Sequence, residues 1–394
     1  MKIVDLRTRM VSIPIEAPTR HSYGSPSAYT RVILELSSDK GFVGLGEADG
    51  SVAPEAFEEL RPLLVGADPL DLERIRIGIS EHGYFSRRPL LLAAVEMACY
   101  DLQGKSLGLP VYKLLGGQMR EHVPMAAYLF YRYANDSGEG EIASPEQVVA
   151  HADRLVRAHG FRTLKLKGGV FEPEQELAAL RALHERFGTV CKLRFDPNAI
   201  WSPATAIRIG KQLEPLYLEY YEDPTWGLAG MAQVRSKVGI PIATNMAVIE
   251  FEQLGPAVTM RCIDVILSDP WYWGGLYHTK VLDCVAKHLG LAVGMHSGIE
   301  MGVGLAAMLH VASTMPYLTC AIDSHYHHLT DDILKGGKLA YRDGGMAPPD
   351  GLGLGVELDE DKMAKYERLY QTSATPSYPP DPHRPGWYPT VPSW

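Results

Sequence analysis

Cysteine is scarce. Five residues, Cys99, Cys191, Cys262, Cys284 and Cys320, are scattered over 394 positions, and no two form a CxxC pair. An odd, dispersed set of this kind argues against a disulfide framework or a cysteine zinc cluster and reads as reduced core thiols of a cytoplasmic protein. Long apolar runs are missing too. The longest, residues 89–99, is too short to span a bilayer and contains Glu96. The N-terminal MKIVDLRTRMVSIPI carries charge where a signal peptide would be apolar. Positive charge is in deficit: the net charge is −9, which argues against nucleic acid as a partner. An anionic substrate would therefore need local positive charge from lysine, arginine or a metal. There is no GK[ST] phosphate loop and no serine-centred GxSxG, and GVGLAAM at 302–308 lacks the full dinucleotide pattern. With 46% hydrophobic and 22% charged residues, the composition is that of a globular protein with a large core. The length suits two or three domains, or one barrel with an addition.

Residues 1 to about 50 alternate like antiparallel strands, with VILEL (32–36) and FVGLGEA (42–48) forming a hairpin. A Pro-, Ser- and Gly-rich loop, residues 17–31, precedes it, and loops of that length are usually functional or mobile. From about 54 to 116 the pattern is helical and stops at Gly116 and Gly117. From about 123 to 325 strand-like runs alternate with helices expected at 174–187, 203–214, 228–239 and 277–290. LTCAIDSH (318–325) reads as the last strand. A short helix is expected at 359–371. The tail, 375–394, holds seven prolines and is expected to pack in extended form on the body or on a partner subunit.

Six polar residues close the apolar runs of the alternating region: Lys167, Asp196, Glu222, Asn245, Asp269 and His296, at gaps of 29, 26, 23, 24 and 27 residues. Each gap fits one strand, one helix and two loops, a single βα unit. Such a series implies parallel strands closing into a barrel, with chemistry at their C-terminal rim. Polar residues after strands are common in turns, but six of catalytic type at one period point to a site. Asp196, Glu222 and Asn245 offer three oxygen donors, a set that suits Mg²⁺. Such a metal on a substrate carboxylate would stabilise charge when the adjacent carbon loses its proton. Lys165 and Lys167 lie two apart in a strand and so face the same side. Their mutual repulsion is expected to lower the pKa of at least one, giving an amine base. Asp269 beside His296 would orient the imidazole as a second proton-transfer group. In HYHHL (325–329), adjacent histidines on a strand face opposite ways, leaving His325 alone at the strand end.

The runs KLKGG (165–169), FDPNAIW (195–201), YYEDP (220–224), ATNMAV (243–248), LSDPWYW (267–273) and GMHSG (294–298) together resemble the enolase superfamily, and within it the glucarate dehydratase group. The resemblance covers nearly the whole chain. It implies an α/β fold, a modified (β/α)₇β TIM-type barrel (121–329) with an α+β capping domain (1–120, joined by 330–394). It implies Mg²⁺ on Asp196, Glu222 and Asn245, Lys167 as one base beside Lys165, and the His296–Asp269 dyad as the other. Asn198, Tyr128, His325 and Ser297 stand at positions expected to contact substrate. The implied reaction is loss of water from an acid sugar, with a racemase or epimerase on the same scaffold as the alternative. Family habit and the proline-rich tail lead us to expect a homo-oligomer.

Three places depart from the family. Its capping-loop histidine falls near Ser25, with His21 the nearest histidine. Arg87 and Arg88 replace threonines before the capping helix. The arginine near the C-terminus has no clear counterpart, Arg384 being a poor match. His21, Arg87 and Arg88 are therefore the expected grips on the far end of the substrate, which would be glucarate held differently, a galactarate or a five-carbon aldonate.

Overall fold

The computed structural model of the protein describes residues 1–81, 88–373, 379–386 and 390–394. Strands β1 (Ile3–Pro14), β2 (Ala28–Ser38) and β3 (Val43–Asp49) form an antiparallel sheet in that order. Gly41, at φ +78°, turns the β2–β3 hairpin in a conformation that other residues adopt only with strain. The helix Pro89–Leu107 lies against this sheet, buried from Leu91 to Gly104. Its close approach depends on two glycines of β3. A Cβ at Gly46 would stand 2.0 Å from the Ala94 carbonyl oxygen, and one at Gly44 would stand 2.1 Å from that of Ala98.

β4 (Val123–Pro124) pairs antiparallel with β12 (Gly345–Met346). Between them runs a seven-stranded parallel sheet of β5 (Ala127–Phe130), β6 (Thr163–Lys167), β7 (Lys192–Asp196), β8 (Tyr220–Glu222), β9 (Ile242–Thr244), β10 (Val265–Ser268) and β11 (Ala292–Met295), hydrogen-bonded in chain order. The expected helices appear as Pro173–Phe187, Pro203–Leu213, Gly227–Arg235 and Leu276–His288. Others fill the remaining gaps, including Phe251–Thr259 and Gly302–Ser313. The expected last strand is reduced to single bridges, yet it joins both edges of the sheet. Thr319 N and Asp323 N donate to β11 carbonyls (3.0 and 2.9 Å), Ile322 N donates to Pro124 (2.9 Å), and Ala126 N donates to Ile322 (2.9 Å). The result is a curled sheet of the enolase type with an antiparallel capping layer.

The helix Glu360–Thr372 docks on β1 through Arg9, which donates to Glu367 (2.9 Å from Nε and Nη2) and Glu360 (2.7 Å). The described part of the tail lies on the chain's own body: Trp394 O accepts from Ser202 N (2.6 Å), and Pro379 O accepts from Ser25 N (3.2 Å). Among the described residues no helix is long and apolar enough to cross a membrane.

Candidate active site

Lys165 and Lys167 leave the same face of β6, as period-two geometry requires, and both are buried. Register aligns Lys167 with Asp196 on β7, and Lys167 Nζ donates to Asp196 Oδ2 at 2.6 Å. Lys165 Nζ sits among three carboxylates: Glu222 at 2.5 Å, Asp323 at 2.7 Å and Asp196 at 3.5 Å. For Lys165 this runs against the expectation that the pairing lowers the pKa of at least one of the two lysines. For Lys165, burial opposes the charge, but Asp323, Glu222, Tyr220 and Asp196 outweigh it and hold the ammonium well above its ordinary range. Its role in this geometry is a fixed cation, not a base.

The three oxygen donors close successive strands. Asp196 and Glu222 are fully buried, and Asn245 is nearly so. Burial disfavours charge on Asp196, yet Lys167 and Lys165 hold its carboxyl below the usual value. Glu222 is pushed well up by burial, with Asp196 and Asp323 adding to the rise against Lys165. A crowd of carboxylates in which one resists ionisation is short of positive charge. The Asn245 amide points the same way. With its nitrogen toward the acids, it donates to Glu222 (3.0 Å) and Asp223 (3.1 Å) and accepts from His296 Nε2 (3.1 Å). Turned over, its oxygen faces only acceptors, an arrangement a cation between them would satisfy. The donor set therefore fits a hard divalent ion.

Across the cavity, His296 Nδ1 lies 3.4 Å from Asp269 Oδ2. Asp269 is oriented by the Trp271 and Tyr272 amides, at 2.8 and 2.7 Å to Oδ1. The Tyr272 ring stacks over His296, centroids 6.0 Å apart.

Lys167, Asn245 and His296 open into one cavity of about 520 Å³, together with Tyr128, Asn198, Ser297 and His325. Asn198 sits at φ +61°, its amide N–H donating to Asp196 Oδ1 (2.8 Å) and its side chain to Ser22 Oγ (2.6 Å) of the 17–31 loop. Tyr23 of that loop, Asp49, Ser51, Leu90, Trp271 and Tyr272 complete most of the rest of the wall.

The expected grips on the far end of the substrate are placed differently from one another. His21 is buried behind the wall, bonded to Thr19 Oγ1 (2.9 Å) and packed on Tyr23 and Phe130. Burial first, then Lys167, depress its pKa to about 3. Arg88 donates to Glu59 at 3.0 Å and is not among the residues lining the cavity. Arg87 lies outside the described residues. In HYHHL, residues 326–328 form a 3-10 turn; His327 bonds the Tyr128 carbonyl (3.1 Å), His328 bonds Arg132, and only His325 reaches the cavity.

Several residues were not singled out from sequence. Asp323 bridges Lys165 and Arg194 (3.0 Å). Asp223 accepts from the Asn245 amide N–H (2.9 Å) and from the Thr244 hydroxyl, fixing the loop that presents Asn245. Glu176 receives the amides of Gly169, Val170 and Phe171 (2.9, 2.8 and 3.0 Å), pinning the turn after Lys167. Arg31 joins the capping sheet to the barrel, bonding Glu47 (2.9 Å), Asp49 (3.0 Å) and the Gly298 carbonyl (2.7 Å). Glu47 in turn accepts from the amides of Met301 (2.8 Å) and Gly304 (2.7 Å), at the start of helix Gly302–Ser313. Glu176 and Glu47 stand near strong sequence signals, a Gly-Gly turn and the GEAD strand end, but only the fold supplies their partners.

Residues 3–116 match the family model described as the mandelate racemase / muconate lactonizing enzyme N-terminal domain, and residues 147–362 match the enolase C-terminal domain-like model. The chain belongs to the enolase superfamily and is an enzyme of that group, for which a lyase reading is supported. It is 38% identical over 387 residues to a probable glucarate dehydratase of Streptomyces coelicolor, covering 90% of this chain and 89% of the relative. It is 27% identical to an N-succinyl-L-Arg/Lys racemase of Bacillus cereus, covering 92% of this chain and 97% of the relative. Among solved structures, an enolase of Thermobispora bispora complexed with magnesium and formate superposes with a TM-score of 0.88 at 39% identity, covering 95% of this chain and 94% of that one. An enolase of Mycobacterium smegmatis complexed with tartrate gives 0.91 at 36%, covering 100% and 98%.

Proposed function

We propose that the protein is a Mg²⁺-dependent dehydratase of an acid sugar, an aldarate or aldonate. The observation that carries this is the opening of Lys167 and His296, from separate strands, into one cavity beside the oxygen donors Asp196, Glu222 and Asn245. Mg²⁺ held by those donors would supply electrophilic stabilisation to the substrate carboxylate. The magnesium in the Thermobispora relative and the hydroxy acid tartrate in the Mycobacterium relative support that reading.

Each remaining task falls to this chain's own residues. Lys165, a cation fixed by three carboxylates, would add positive charge beneath the carboxylate end. One of Lys167 and His296 takes the proton from the carbon next to the carboxylate, as the stereochemistry of that carbon demands. The C–O bond at the β-carbon then breaks, and the hydroxyl leaves as water with a proton delivered by His296, oriented by Asp269. The enol takes up a proton at the β-carbon and releases its hydroxyl proton to water, becoming the 2-keto-3-deoxy acid. Tyr272 over the imidazole and Trp271 in the wall exclude bulk water from the exchange.

Incubation with Mg²⁺ and a panel of aldarates and aldonates should yield a 2-keto acid from at least one. The racemase reading rests on the same pair of groups and on the Bacillus relative. Solvent-deuterium exchange or epimerisation without keto acid would favour it and count against dehydration. No turnover of any panel member would contradict the proposal.

A further inference from the structure

From the cavity wall inward runs a buried chain of groups that the reaction above does not use. Glu300 is fully buried, and its two carboxylate oxygens accept from the Ser297 hydroxyl (2.7 Å) and the Ser324 hydroxyl. Ser297 Oγ in turn lies 3.0 Å from the His325 backbone N–H and 2.7 Å from His325 Nδ1. We propose that Glu300, acting through Ser297, is a positioning residue. It holds His325 as the Nδ1–H tautomer, so that Nε2 offers a lone pair to a hydroxyl of the bound acid. The hydroxyl part rests on the acid-sugar reading; the tautomer does not.

The reasoning is a count of hydrogens. A serine hydroxyl has one proton to give. Burial raises the Glu300 pKa, and the Ser324 and Ser297 hydroxyls oppose that rise. An oxygen of the ionised carboxylate left without a donor loses on the order of 1–3 kcal/mol, so Ser297 commits its proton to Glu300. The backbone N–H groups of His325 (3.0 Å) and, at longer range, Ile299 (3.4 Å) have fixed hydrogens, and Ser297 can only accept them. With its proton committed, Ser297 can only accept from Nδ1 as well, so Nδ1 must carry hydrogen. Burial, with His21, His296 and Lys167 nearby, holds the His325 pKa well below the ordinary value, which keeps the ring neutral. Nε2 is then bare, and among the described residues no protein group bonds it. The ring is gripped by Tyr128 and Phe130, centroids 4.7 and 5.2 Å away, and it lines the cavity. A bare nitrogen there accepts from an O–H and repels a carboxylate. The His325 end of the cavity thus selects a hydroxyl-bearing carbon.

The test is a long-range ¹H–¹⁵N spectrum of histidine-labelled, full-length protein in MgCl₂ without substrate, with the His325 signals identified by their loss in His325→Gln. The expected result is a protonated Nδ1 and an unprotonated Nε2. In Glu300→Met, which frees the Ser297 proton for Nδ1, the signals should move toward the Nε2–H form. An Nε2–H ring in the unmodified protein would overturn the proposal, as would an unchanged tautomer in folded Glu300→Met. The unmodified spectrum decides the tautomer even if that variant does not fold or no acid sugar reacts. With a reacting substrate, Glu300→Met should raise KM about tenfold with a smaller change in kcat. A loss confined to kcat would contradict the hydroxyl assignment.

Discussion

On the barrel side of the cavity, Lys167 and Asn245 stand at or just after the ends of strands with a neighbour on both sides, and His296 follows the edge strand β11, whose far side is bonded by the 318–323 segment. On the capping side, Tyr23, Ser51 and Leu90 come from a loop, a turn and the first turn of a helix. The barrel wall carries charges in fixed register, with carboxylates and amines bonded at 2.5 to 2.7 Å beneath it. The capping contribution is largely neutral, and its one acid, Asp49, is already paired with Arg31. Chemistry thus rests on the rigid wall, and the choice of substrate rests on the wall that loops can remodel. The departure at His21 lies in the 17–31 loop behind that second wall, whereas Arg88, paired with Glu59, does not line the cavity.

This division can be broken by substitution. Lys167→Ala and His296→Asn should each lower kcat by about 10²–10⁴-fold. Each should abolish deuterium exchange from one stereochemical side only, read by NMR in D₂O. Loss from both sides in one variant would mean that a single group does both jobs.

The seam between the walls comes next. Arg31→Met strands Glu47 and Asp49 without their cation and should destabilise the fold by about 3–5 kcal/mol, measured by urea denaturation. A smaller loss with intact kcat would show that the capping sheet docks without it.

Asp223→Asn acts one step behind the oxygen donors. It should weaken Mg²⁺ binding by about 10–100-fold in calorimetry while leaving the fold intact. Unchanged affinity would mean that Asn245 is not held for the metal.

The smallest effect is expected at Arg88. Its ion pair with Glu59 is at the surface, so Arg88→Ala should change stability by less than about 1 kcal/mol and leave KM unaltered. A large rise in KM would show that Arg88 leaves Glu59 to grip the substrate.

The barrel wall was also the legible one. A strand end every 23 to 29 residues places polar side chains at one rim before any coordinates are known, and the helices between carry an apolar face. The helix Gly302–Ser313 gave no such signal, because it is buried all round and shows no amphipathic period. The segment 318–325 reads as a strand, but it makes only isolated bridges where it closes the sheet. Asp323 and Arg31 act through partners 158 and 267 residues away, distances at which sequence spacing says nothing. The raised pKa of Lys165 is hidden from sequence for the same reason. Its neighbour Lys167 is visible in sequence, whereas Asp323, which joins Glu222 in outweighing burial, is brought in only by closure of the barrel.

The central claim is that Asp196, Glu222 and Asn245 share one divalent ion beside Lys167 and His296. Anomalous diffraction from crystals grown with Mn²⁺ in place of Mg²⁺ tests it most directly. The account predicts one strong peak within about 2.0–2.4 Å of an oxygen of each of the three side chains. A peak elsewhere, or none at millimolar Mn²⁺ with the three donors ordered, would contradict it.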